Sequence, residues 1–165
     1  MFGVFNIKLF AMETTEKAID VLNDLIEINN DRVAGFAHAV KELKENDTDL
    51  RLLFLQLREE SRENVHELGS VINENGGEVE MGMSGNGALH RMWLDVKAAF
   101  TGHDRRGILT ECERGEDAIK KAYEHALMPD NDLSPEVTAI IMRQQENVIA
   151  SHNQIKALRD FEGLD

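Results

Sequence analysis

The chain has 165 residues, the length of one domain rather than two, and its 31 acidic against 18 basic side chains give a formal charge of −13. That balance argues against a nucleic-acid binder, because affinity for phosphate comes mainly from Lys and Arg, and a mean hydropathy of −0.37 is not membrane-like. Aromatic residues at 5% and only two prolines suit helices better than strands, and a single cysteine, Cys112, cannot close an internal disulfide, which points to a reducing, cytoplasmic setting.

Met1 to Ala11 is an apolar stretch broken by Lys8. It has no basic n-region, and its uninterrupted run is too short for a signal peptide or a spanning helix. It reads as a poorly ordered leader over residues 1–13, ahead of one domain over residues 14–162. Met12 offers a second translation start, and Thr14 or Thr15 offers an N-cap for the first helix.

Apolar periodicity then predicts four long helices. Helix A, from about Thr15 to Glu45, carries Ala18, Leu22, Leu25, Ile26, Val33, Phe36, Val40 and Leu43 on one stripe. Asn46-Asp47-Thr48-Asp49 is a short capping turn, so helix B, about Asp49 to Asn75, folds back antiparallel. Its inward face holds Leu50, Leu53, Phe54, Leu57, Val65, Leu68, Val71 and Ile72. Helix C covers about Asp104 to Leu127, with Ile108, Cys112, Ile119, Tyr123 and Ala126 inward. Helix D starts at the cap Ser134, with Pro135 in its first position, and runs to about Asp160.

The link from helix B to helix C is the informative one. Residues 76–103 begin Gly-rich and then place Leu89, Met92, Trp93, Val96 and Phe100 on one helical face. Such a link is too long for a turn between antiparallel neighbours. A helix within it covers about 20 Å at roughly 1.5 Å per residue, most of the length of a bundle. Two short turns separated by one long crossover predict an all-α, ferritin-like four-helix bundle: an A–B pair, a crossover with its own helix, and a C–D pair.

Ferritin-like folds hold two metal ions on inward Glu and Glu-x-x-His ligands. The nearest match, Glu63-Asn64-Val65-His66, puts Glu63 and His66 on the outer face of helix B when phased from Leu50. The polar residues that do enter the core stripes are Asn29, with Arg32 on its flank, Ser61 and Asn64, with Glu60 flanking, Glu116, Gln144, and further along helix D Ser151 and His152. Counted from the turns, Asn29 lies level with Asn64, and Glu116 with Gln144 and Gln145. His152 then falls about 12 Å beyond Gln144.

Two readings stand side by side, with a small-ligand pocket as a third. One is a buried hydrogen-bonded layer of Asn29, Ser61, Asn64, Gln144 and Glu116, neutralised by Arg32. The other is a single or reduced dinuclear site for iron or manganese on Glu60, Glu116 and His152. No cofactor is assigned outright and no catalytic residue is identified. Amides are poor ligands for those metals, which prefer carboxylate and imidazole. Cys112 reads as a small core residue rather than a nucleophile. Outward apolar residues, Leu52 and Leu55 on helix B and Met142 and Ile149 on helix D, predict a homodimer contact. No membrane partner is expected, and no protein or small-molecule partner is specified.

Asn29-Asn30-Asp31-Arg32 with Gly35-Phe36, the run from Leu89 to Ala99 with Thr101-Gly102, Cys112-Glu113-Arg114-Gly115-Glu116-Asp117-Ala118 with Ala122-Tyr123, and His152 with Ile155 and Leu158-Arg159-Asp160 carry a family likeness. Together they resemble a bacterial family of ferritin-like four-helix bundles, a domain-of-unknown-function family distantly similar in fold to rubrerythrin and bacterioferritin. The resemblance implies the fold and a bacterial cytosolic setting, and it implies no enzyme. Against the ferritin pattern, neither helix B nor helix D carries an inward Glu-x-x-His.

Overall fold

The computed structural model describes residues 2–80 and 104–164, with side chains from residue 16 onward. Within them lie four long helices: α1 (Phe2–Glu42), α2 (Thr48–Glu74), α3 (Arg105–Ala126) and α4 (Pro135–Glu162). A short 3-10 turn, Pro129–Asn131, precedes α4. No strand occurs among the described residues. The amphipathic stretch from Leu89 to Phe100 and the histidines His90 and His103 lie outside them.

Helix α1 corrects one expectation. It does not start at a Thr14 or Thr15 cap but continues back to Phe2 through the stretch expected to form a loose leader. A threonine favours a helix start only weakly against a sequence with no breaker, and between Ala11 and Glu42 the single glycine is Gly35 and there is no proline. The other termini follow local chemistry. Asp104 caps α3 by accepting from Gly107 N at 2.6 Å. Ser134 caps α4 through Val137 N at 3.2 Å, with Pro135 following. Gly76, at φ 76°, closes α2 in the left-handed conformation, and Gly77 N returns to Ile72 O at 2.9 Å.

Helices α1 and α2 pack as an antiparallel pair, α3 and α4 as another, and α1 also packs against α3. At one end, Gly77 after α2 lies against Ile19, and Lys17 reaches the backbone carbonyl of Asp130 in the α3–α4 turn. At the other end, Arg105, the first residue of α3, binds Asp47 at 3.2 Å and Asp49 at 2.8 Å in the α1–α2 turn, and Glu162 at 2.6 Å near the end of α4. The chain therefore leaves α2 at one end of the bundle and enters α3 at the opposite end.

The interior holds two apolar clusters. One gathers Leu22, Leu25, Ile26, Leu68, Ile72, Ile119, Ile141 and Val148. The other gathers Phe36, Leu50, Phe54, Leu57, Ile108, Leu109, Cys112 and Ile155, with the rings of Phe36 and Phe54 5.5 Å apart. Leu52, Leu55, Met142 and Ile149 point away from both and are exposed. None of the helices, searched over the described residues, is long and apolar enough to cross a membrane.

Candidate functional site

Between the two clusters the bundle turns polar. Asn29, Arg32, Ser61, Asn64, Glu116, Gln144, Ser151 and His152 are all buried, each on the inward phase of its helix. Glu63 and His66 are exposed on the outer face of α2.

Arg32 is the centre of this layer and is fully buried. Its Nε donates to Glu116 Oε1 at 2.7 Å and its Nη2 to Glu116 Oε2 at 3.0 Å, a two-point contact matched to guanidinium geometry. Nη1 donates to Glu60 Oε1 and to Ser61 Oγ, both at 3.1 Å, and Nη2 donates again to Ser151 Oγ at 2.8 Å. Every N–H of the guanidinium thus has an acceptor. The hydroxyls pass the bonding on: Ser151 Oγ donates to Glu116 Oε2 at 2.6 Å, and Ser61 Oγ to Leu57 O at 2.9 Å. Phe36 closes one side, its ring centroid 5.4 Å from the guanidinium carbon. Burial works against the arginine's charge, but Glu116 and Glu60 outweigh it and hold its pKa above the ordinary value.

One step along the bundle lies a chain of side-chain hydrogen bonds. Asn64 Nδ2 donates to Asn29 Oδ1 at 3.1 Å, and Asn29 Nδ2 to Tyr123 Oη at 2.9 Å. Tyr123 Oη donates to Gln144 Oε1 at 2.7 Å, and Gln144 Nε2 to Glu67 Oε1 at 2.7 Å. Glu67 also pairs with Arg143 at the surface. The chain runs across all four helices.

The structure places Asn29 level with Asn64, as the count from the α1–α2 turn predicts. It moves Glu116, which lies level with Ser151 rather than Gln144, about two turns further along α4. Gln144 pairs instead with Tyr123. The cause is the α3–α4 connection. Its 3-10 turn and the left-handed Asp132 carry the chain past the end of α3 before Ser134 caps α4, so equal counting from the turn fails. His152 consequently sits at the level of Glu116 and Asp117 rather than two turns away, with Nε2 2.6 Å from Asp117 Oδ1. It does not join Glu60 and Glu116: the space between those two carboxylates holds the Arg32 guanidinium. Sequence reasoning missed Tyr123 and Glu67. Apolar periodicity puts Tyr123 on the inward face, and a phenol facing buried amides at that height is the available signal.

Chemically, the layer pairs a permanent cation with a buried carboxylate and a half-buried one. Cys112, on the same face of α3, is buried, and burial pushes its thiol pKa well above the usual value, with Glu116 and Glu111 adding to the shift. It is not a nucleophile at neutral pH.

Four long helices closed around a hydrogen-bonded ionic layer define an all-helical bundle protein. A family model described as "Domain of unknown function (DUF2383)" matches residues 17–129, and the chain belongs to that family. The matched span contains Arg32, Glu60, Ser61, Glu116 and Tyr123, and stops before α4. No curated protein matches the chain.

Proposed function

We propose that this protein is a ferritin-like bundle that acts without catalysis, as a binding or stress-associated accessory protein, and that its buried ionic layer stands where related folds hold two metal ions. The observation that carries this reading is Arg32, fully buried and saturated by Glu116, Glu60, Ser61 and Ser151. The ferritin-like part rests on the end-to-end passage of the chain between α2 and α3. A dimetal centre does not fit this donor set. Its two carboxylates are already turned onto a guanidinium, and its other members, Asn29, Ser61, Asn64, Gln144 and Ser151, are neutral amides and hydroxyls that bind iron or manganese poorly. The free Cys112 is compatible with a reducing cytosol. A homodimer would cover Leu52, Leu55, Met142 and Ile149, and isologous pairing is the commonest closed assembly.

Elemental analysis of untagged protein, purified without chelator, tests the reading together with its Glu116→Ala variant. We expect no iron or manganese whose presence depends on Glu116. About one or two equivalents of either metal, lost in the variant, would overturn it. Light scattering tests the assembly: Leu52→Glu shifts a dimer to monomer, and a monomeric native protein removes the dimer from the proposal.

A further inference from the structure

Outside the ionic layer, a second set of side chains converges between α3 and α4. Glu113 and Asp117 stand one turn apart on α3, so their carboxylates share a face. His152 faces them from α4. One ligand atom from each of the three lies within 4.8 Å of the others. Their exposure is graded: His152 is 7% exposed and Glu113 9%, while the Asp117 side chain is half exposed. His152 Nε2–H donates to Asp117 Oδ1 at 2.6 Å, and a metal ion taking the place of that proton would leave the other ring proton on Nδ1, which lies 3.3 Å from Asn153 Oδ1 as its acceptor. That is the orientation in which a neighbouring group presents a histidine to a metal.

From this geometry we propose that Glu113, Asp117 and His152 form a binding site for one divalent transition-metal ion of the zinc class, clamping α3 to α4. Two carboxylate oxygens and one imidazole nitrogen are the donors a borderline ion takes, and the open side at Asp117 leaves room for water as a fourth ligand. Tetrahedral donors at bonds of about 2.1 Å stand about 3.4 Å apart, so the cluster closes through side-chain torsions of Glu113 and Asp117. Arg159 now contacts Glu113, but it is also held by Asp160 at 2.9 Å and can release Glu113 without losing its own counter-ion. Glu116 takes no part, because both its oxygens are bound by Arg32. The site is thus separate from the layer, and its ion would tie helices together rather than perform redox chemistry.

The test is titration of chelator-treated, full-length protein with Zn2+ against a chromogenic competitor, with thermal melting in parallel. We expect one equivalent bound and a higher melting temperature with the ion. Asp117→Asn and His152→Ala should each weaken binding by about 10- to 100-fold and abolish the thermal shift. Asp117→Asn, on a half-exposed residue, keeps the test decisive if His152→Ala fails to fold. Arg159→Met should tighten binding by removing the competing cation, and His66→Ala should leave it unchanged. Absence of saturable binding, binding indifferent to Asp117→Asn, or binding lost with His66→Ala would each overturn the proposal. Dependence on Glu116 with indifference to Asp117 would instead count against the reading of the buried layer.

Discussion

The Arg32 guanidinium meets the Glu116 carboxylate edge to edge, Nε to Oε1 at 2.7 Å and Nη2 to Oε2 at 3.0 Å, with neither side chain exposed to solvent. A pair so buried loses hydration on both sides, and what makes it tolerable here is the saturation of the remaining donors by Glu60, Ser61 and Ser151.

Removing one partner should therefore be costly. Arg32→Leu leaves Glu116 buried without its cation, and a loss of about 3–5 kcal/mol is expected in urea unfolding. The double variant Arg32→Leu, Glu116→Leu should recover part of the loss, and strict additivity of the two substitutions would rule out the coupling.

Tyr123 offers a second, spectroscopic test, because it is the only tyrosine in the chain. Burial raises its phenol pKa above the ordinary value, despite the hydrogen bond from Asn29. Absorbance near 295 nm should show no phenolate in the folded protein at pH values where the urea-unfolded chain titrates, about pH 10. Tyr123→Phe strips Gln144 Oε1 of its donor and should cost about 1–3 kcal/mol.

Much of this layer is legible in the sequence. Phase alone brings Asn29, Ser61, Asn64, Glu116, Gln144, Ser151 and His152 inward and leaves Arg32 on the flank of its stripe, because a helix fixes the direction of each side chain about its axis. Height along the axis is less secure. It holds for Asn29 and Asn64, which are joined by a short turn, and fails for Glu116 and Gln144, where the connection carries the chain past the end of α3 before the next helix begins. The same error hid the Glu113, Asp117 and His152 cluster, whose members belong together only after α4 is shifted by about two turns. The start of α1 was missed for a different reason: a capping residue permits a helix to begin but does not compel it.

The end of the bundle where Arg105 gathers Asp47, Asp49 and Glu162 should respond to acid. The hydrogen bond from Arg105 holds the Asp49 carboxyl at about 2, below its usual value of 3.8, although partial desolvation pushes the other way. A depressed folded-state pKa contributes stability that is full above the unfolded value and lost as pH falls through the folded one. The window is therefore about pH 4 down to pH 2. Asp49→Asn should be less stable than the native protein at pH 6, with the difference vanishing by pH 2. The effect should be small, because Asp49 is well exposed and solvent screens the pair. A gap between the two proteins that persists unchanged to pH 2 would assign the effect to something other than this carboxylate.

Cys112 reports on the opening of the core rather than on chemistry. It is the sole cysteine, buried at 4% exposure beside Ile108 and Leu109, and burial raises its thiol pKa well above the usual value. Both access and thiolate formation are therefore denied in the folded state. A disulfide reagent such as dithionitrobenzoate should react with no thiol in native protein at pH 8 over minutes and with one equivalent in urea. In the Arg32→Leu variant the reaction should accelerate in step with the measured loss of stability, since the exposed state is then more populated. Fast labelling of the native protein would place Cys112 outside the packed core and would undo the assignment of α3's inward face.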